Sequence, residues 1–257
     1  MRYDDVVVKK TRRPVKLEIP PSAPASRLGW LDSLRGAAVL AMVAYHFGFD
    51  LNYFGWIHQN LQDDRAWLLA RTLILSSFLF LAGASFALAR QHDVPLRRQL
   101  ARIVRIAAAA LLVTIGSRLM FPDSAIYFGT LHAIAVMGLL LMALPNWDRG
   151  LGALGAVLIG IDAVYANEIF NQAALSWIGL RTFKPRTEDY VPLIPWFGVY
   201  LIGCGALRIA LRRQWLARWN NANSMAPWLQ WTGRHSLAIY LLHQPILIGM
   251  LTGLNKL

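Results

Sequence analysis

Ionisable residues recur along one apolar segment near the N-terminus. Residues 27–50 read RLGWLDSLRGAAVLAMVAYHFGFD. At 100° per residue, Arg35, His46 and Asp50 fall on one face of a helix, and Arg35 lies about 16 Å from His46 along its axis. A lone histidine would most often be a packing residue. A row of Arg, His and Asp within hydrocarbon is costly, however, and therefore indicates a functional role. The chemistry available to this row is that of histidine and carboxylate.

Other common catalytic signatures are absent from the sequence. It contains no HExxH, no cysteine cluster, no GxSxG and no glycine-rich phosphate motif. Its single cysteine, Cys204, excludes an internal disulfide. We therefore expect no metal site. The sequence instead predicts acid–base or nucleophilic chemistry by histidine.

The composition indicates a membrane protein. Of 257 residues, 56% are hydrophobic and 16% are charged, and the mean hydropathy is +0.40. These values are too apolar for an ordinary soluble domain. We predict an all-α polytopic membrane helix bundle of about seven transmembrane helices. The predicted spans are 34–54, 66–89, 102–121, 126–145, 150–169, 192–212 and 235–254.

The basic residues predict how the chain is oriented. The net charge is +12, but the charges form clusters between apolar segments, which argues against nucleic-acid binding. They concentrate in 1–27, 90–98 and 212–234, whereas the long segment 170–191 has few. The positive-inside rule then places the N-terminus in the cytoplasm. We predict a flexible basic cytoplasmic tail at 1–26, followed by a transmembrane domain at 27–257.

Further polar and small residues lie within the predicted spans. In the second span, FLFLAGAS offers Gly83 and Ala84 for close helix packing. The fourth contains His132, and in the seventh Tyr240 and His243 share a face. Each histidine could simply bridge two helices, but together these groups concentrate in the middle-to-outer half of the predicted membrane domain.

Four motifs carry a resemblance to a known family. They are LDSLRGAAVLAMVAYHFGFDL, FLFLAGASFALA, GTLHAIAV and GRHSLAIYLLHQPIL. In these motifs the chain resembles the bacterial branch of the heparan-α-glucosaminide N-acetyltransferase catalytic-domain family, within the wider transmembrane acyltransferases. The likeness covers about residues 27 to 250.

The resemblance implies an integral membrane enzyme, expected in the bacterial inner membrane. Such an enzyme takes an acetyl group from cytosolic acetyl-CoA and passes it to an amino sugar or cell-envelope glycan on the outer side. The family's expected catalytic histidine lies near the outer end of the first span. Two residues match that position, His46 in YHFGFDL and His58 in FGWIHQ, and the sequence leaves the choice open.

The resemblance also suggests roles for the other candidates. His46 would be the general base or an acyl carrier, with Asp50 orienting its imidazole. His132 and His243 would bind the thioester carbonyl or relay the proton. The phosphates of coenzyme A would be held by basic residues at the cytoplasmic end, namely Arg35, Arg102 and Arg105.

Two alternatives to an enzyme explain the same residues. A proton-coupled transporter or flippase would use the His, Asp and Arg groups as a relay. A nonenzymatic relative would act as a membrane partner protein. The sequence does not identify the acceptor or show whether the chain forms a homo-oligomer.

Overall fold

The regular secondary structure is helical. The computed structural model describes residues 28–61, 63–144, 150–185, 187, 189–215 and 226–256. Within these residues there are eight α-helices, three short 3₁₀ helices and no strand. The α-helices are α1 (Gly29–Tyr53), α2 (Arg65–Gln91), α3 (Leu96–Met120), α4 (Thr130–Ala143), α5 (Leu151–Val164), α6 (Leu193–Arg212), α7 (Pro227–Arg234) and α8 (Ser236–Leu254). The predicted tail at 1–26 lies outside the described residues.

Every predicted span coincides with a helix, but the helices differ in length. Within the described residues, α2, α3, α6 and α8 are long and apolar enough to cross a membrane. The 14-residue helices α4 and α5 extend about 21 Å, which is less than the roughly 30 Å of a hydrocarbon core. α1 has 25 residues and carries the polar row. Seven crossings and a cytoplasmic N-terminus therefore stay predictions.

Close packing on α6 holds α2 and α5 in place. A Cβ on Gly83 of α2 would overlap the carbonyl oxygen of Tyr200, and one on Gly203 of α6 would overlap that of Phe80. α6 meets α5 in the same way, because Gly155 and Gly198 lie against each other's carbonyl oxygens. The predicted packing role of Gly83 is confirmed, and small residues explain why these backbones approach so closely.

α1 packs against α7 near its start and against α8 farther along. At the crossing with α7, Gly36 lies against the backbone of Leu229 and Gly233 lies against that of Asp32. Farther along, Trp56 just beyond α1 donates to Asn255 just beyond α8. α1 and α8 therefore run in the same direction. We call the two ends of the bundle the Gly29 end and the Tyr53 end.

α8 also packs against α3 and the start of α4. Ala109 and Ala110 of α3 are buried against apolar side chains of α8. Leu131 belongs to the same small cluster. This packing brings the polar face of α8 between α1 on one side and α4 on the other.

Candidate functional site

His46 of α1 and His243 of α8 face each other. Their ring centroids lie 4.9 Å apart with an interplanar angle of 57°. His46 also contacts the ring of Tyr45 edge-on, with the centroids 5.9 Å apart. Both histidines are partly buried. Two of the predicted histidines are therefore brought together, although they come from the first and last helices of the bundle.

Asp50, one turn after His46 on α1, also contacts α8. Gln244 Nε2 donates to Asp50 Oδ1 at 2.7 Å, and Asp50 is only 2% exposed. We expected this carboxylate to orient His46, but within the described residues no hydrogen bond joins them. The side chain instead reaches across to α8, where an amide donor is available. Asp50 Oδ2 and Gln244 Oε1 are buried, and no described residue bonds to either.

Tyr240 connects this contact to the loop between α5 and α6. The Nδ1 atom of His243 lies 2.7 Å from the backbone carbonyl oxygen of Tyr240. The hydroxyl of Tyr240 donates to Asp189 Oδ2 at 3.4 Å. The side-chain hydroxyl and backbone carbonyl of Tyr240 thus join His243 to a carboxylate of the loop.

Asp189 fixes the loop to the start of α4. Its Oδ2 accepts from the backbone N–H of Thr130 at 2.7 Å, and its Oδ1 accepts from the Thr130 hydroxyl at 3.3 Å. Gly129 makes room for the carboxylate, because a Cβ there would overlap it. Burial raises the pKa of Asp189, and the hydrogen bonds from Thr130 and Tyr240 oppose that rise. Sequence reasoning missed Asp189, because its neighbourhood TEDY is typical of a solvated loop.

His132 lies in the first turn of α4 with both ring nitrogens engaged. The backbone N–H of Gly129 donates to Nδ1 at 3.2 Å. In the neutral ring Nε2 then carries the proton, and it lies 3.2 Å from the hydroxyl of Thr114 on α3. A groove of about 210 Å³ along α3 and α4 borders His132, and Ala110 and Leu111 help to line it. These contacts anchor the ring near Asp189.

Arg35 is held at the Gly29 end. Its guanidinium forms a 2.7 Å ion pair with Asp32, and it also donates to the buried hydroxyl of Ser85 on α2. The residues predicted to form one row on α1 therefore contact two different helices. Arg35 contacts α2, whereas His46 and Asp50 contact α8. The charge of Arg35 is partly neutralised by Asp32.

Arg102 and Arg105 are both exposed near the Gly29 end of α3. At 100° per residue, Arg102 shares a face with Ala109, which packs against α8. Arg105 points about 60° away from Arg102. Both arginines therefore lie within about 40° of the direction of Ala109 on α3.

His58 lies outside the cluster. It follows α1 in an exposed loop, where the neighbouring Gln59 is bonded to Asn52 and Trp67. Among the described residues of this loop, no contact brings His58 to His46 or His243. Among the described residues, no group of three or more His, Cys, Asp and Glu side chains is arranged to hold a metal ion.

Comparison with known proteins identifies a family. The family model described as "Heparan-alpha-glucosaminide N-acetyltransferase, catalytic" matches residues 27–245. No curated protein and no solved structure matches the chain significantly. The matched segment contains both residues of the ring contact, His46 and His243.

Proposed function

Because the chain belongs to the heparan-α-glucosaminide N-acetyltransferase catalytic family, we propose that it moves an acetyl group from acetyl-CoA to an amine acceptor. The match supports a membrane acetyltransferase, and the apolar helices support an integral membrane protein. The acceptor in our proposal is an amino sugar or a cell-envelope glycan. The observation that carries the proposal is the contact between His46 and His243.

We place the Gly29 end at the cytoplasmic face of a bacterial inner membrane. Exposed arginines at that end include Arg97 and Arg98 at the start of α3 and Arg212 and Arg213 at the end of α6. Positive residues favour the cytoplasmic side. The loop with Asp189 then faces outward, and the site lies between the centre and the outer surface. An acceptor would reach it from outside.

The histidine pair supports the chemistry. In acetyl transfer the acceptor nitrogen attacks the thioester carbonyl carbon, the C–S bond breaks, and the nitrogen loses a proton. One histidine of the pair takes up that proton or carries the acetyl group between the two substrates. The buried carboxylate of Asp50 adds negative charge next to the pair and would stabilise an imidazolium.

The arginines of α3 fit the donor's phosphates. Arg102 and Arg105 are exposed near the Gly29 end, and arginine binds phosphate with charge-assisted hydrogen bonds. Acetyl-CoA supplies a thioester, whose acyl group is activated for transfer. Arg35, paired with Asp32, would support the helices around the donor. We therefore assign phosphate binding to Arg102 first, to Arg105 second and not to Arg35.

The proposal is tested by incubating the purified protein in detergent with labelled acetyl-CoA and a panel of amino sugars and envelope glycans. We expect free coenzyme A to appear together with an acetylated product for at least one acceptor. A transporter or a nonenzymatic partner protein would release no coenzyme A above the rate without protein. That result would reject the enzyme.

A further inference from the structure

The orientation of the His243 ring is fixed by its own helix. Nδ1 lies 2.7 Å from the backbone carbonyl oxygen of Tyr240. A carbonyl oxygen can only accept a hydrogen bond, so Nδ1 carries the proton and donates it. In the neutral ring Nε2 is consequently an unprotonated acceptor. The tautomer of His243 is therefore set by a backbone group that no side-chain substitution removes.

Nε2 of His243 has no partner within the described part of the chain. It is buried, and so are Asp50 Oδ2 and Gln244 Oε1, which also lack a partner there. All three atoms are acceptors in this arrangement, because Gln244 uses its amide nitrogen on Asp50. A buried acceptor without a hydrogen bond is unfavourable, because it has lost its contact with water and gained nothing in return. Three of them on neighbouring side chains favour a ligand that brings several N–H or O–H groups.

The other histidines differ from His243 in this respect. His132 has a partner at each ring nitrogen. His46 makes ring contacts with Tyr45 and His243, but no hydrogen bond to another described residue sets its tautomer. His235, at the end of α7, has the same bond from Nδ1 to a backbone carbonyl, at 2.8 Å, but it is exposed. His243 alone in this set combines a fixed tautomer with a buried, unpaired Nε2.

We propose that His243 is the general base of the transfer and that Asp50 and Gln244 orient the acceptor. This assignment rests on the proposed acetyltransferase function. The acceptor amine forms its bond to the thioester carbonyl carbon, and its proton moves to Nε2 of His243. The C–S bond breaks, and the imidazolium returns the proton to the leaving thiolate. Asp50 Oδ2 and Gln244 Oε1 accept hydrogen bonds from other N–H or O–H groups of the acceptor.

The test compares His243→Ala and His243→Gln with the wild type by measuring coenzyme A release and donor binding. We expect His243→Ala to lower kcat by about 10²–10⁴ while donor affinity is unchanged. Added imidazole should restore part of the rate, and within a series of substituted imidazoles the restored rate should rise with basicity. His243→Gln keeps a polar side chain of similar size but no base, so it should be folded and inactive.

His235→Ala is the matched control, because it removes a histidine with the same backbone bond outside the site. It should retain wild-type turnover and show no response to imidazole. Near wild-type turnover in His243→Ala would overturn the assignment. So would rescue that follows basicity in His46→Ala but not in His243→Ala. A wild-type protein that releases no coenzyme A would instead reject the proposed function itself.

Discussion

The rings of His46 and His243 lie 4.9 Å apart, although the two residues belong to the first and last helices of the bundle. Their contact depends on α1 and α8 running in the same direction, with Gln244 bonded to Asp50 one turn farther along. Because Tyr240 joins His243 to Asp189, the loop after α5 is connected to the same site. Substitutions in that loop should therefore alter the positions of the two histidines.

Glycine packing between α5 and α6 can be tested with two substitutions on one helix. A Cβ at Gly155 would overlap the carbonyl oxygen of Gly198, whereas a Cβ at Gly160 would meet nothing within 4 Å. Gly155→Ala should lower the free energy of unfolding by about 1–3 kcal/mol through overpacking. Gly160→Ala should leave it unchanged or raise it slightly. Thermal unfolding in detergent measures both, and equal effects would contradict the packing described.

Donor binding should depend on one face of α3. If Arg102 binds a phosphate, Arg102→Ala should weaken acetyl-CoA affinity by roughly tenfold to a hundredfold, since a charge-assisted contact contributes about 1.5–3 kcal/mol. Arg105→Ala should have a smaller effect. Arg97→Ala removes an exposed arginine about 140° away on the same helix and is the control. Titration with acetyl-CoA gives the affinities. Unchanged affinity in the first two variants would place the phosphate site elsewhere.

Asp189 should make stability depend on pH in a defined direction. Burial raises its pKa in the folded protein, so the folded state favours the protonated carboxyl. Ionising the buried carboxyl lowers the free energy of unfolding, and this loss is absent below about pH 4, the ordinary pKa of an aspartate. The loss grows as the pH rises towards the raised pKa and is complete above that value.

Asp189→Asn stays neutral and should therefore become more stable relative to the wild type as the pH rises through that window. The measurement is the difference in Tm between the two proteins at several pH values. A difference that is constant, or that changes in favour of the wild type, would show that hydrogen bonds to the ionised carboxylate outweigh burial.

The topology can be tested by cysteine labelling from each side of the membrane. Gln91 ends α2, and Gln172 lies in the loop between α5 and α6; both side chains are exposed. Gln91→Cys should be labelled from the cytoplasm and Gln172→Cys from outside. The buried Cys204 should give little background. Labelling of both positions from the same side would contradict the seven-span arrangement.

Most of the fold follows from local sequence, because a long apolar segment has few structures open to it in a membrane. All seven predicted spans are helices. α7 was not predicted, since its eight residues are too few for a span. The lengths of α4 and α5 also differ from the prediction, because periodicity does not fix where a helix ends.

The candidate site was predictable only as separate residues. His46, Asp50, His132 and His243 could be found because ionisable groups in apolar segments are rare. Their partners come from distant parts of the chain, and helix periodicity carries no information about such contacts. Asp50 was therefore assigned to His46, its neighbour on α1, whereas the structure bonds it to Gln244.

The central claim is that acetyl transfer takes place at the His46–His243 contact. The most direct measurement follows labelled acetyl-CoA with wild type, His46→Ala and His58→Ala, and counts coenzyme A and acetylated acceptor. We predict that the wild type releases coenzyme A and acetylated acceptor in equal amounts. We predict that His58→Ala forms both products at the wild-type rate. We predict that His46→Ala still binds donor but loses roughly 10²-fold in rate, because the ring that packs against His243 is removed and a misplacement of about 1 Å can cost that much. Activity that survives His46→Ala but is abolished by His58→Ala would contradict the account and move catalysis to the exposed loop.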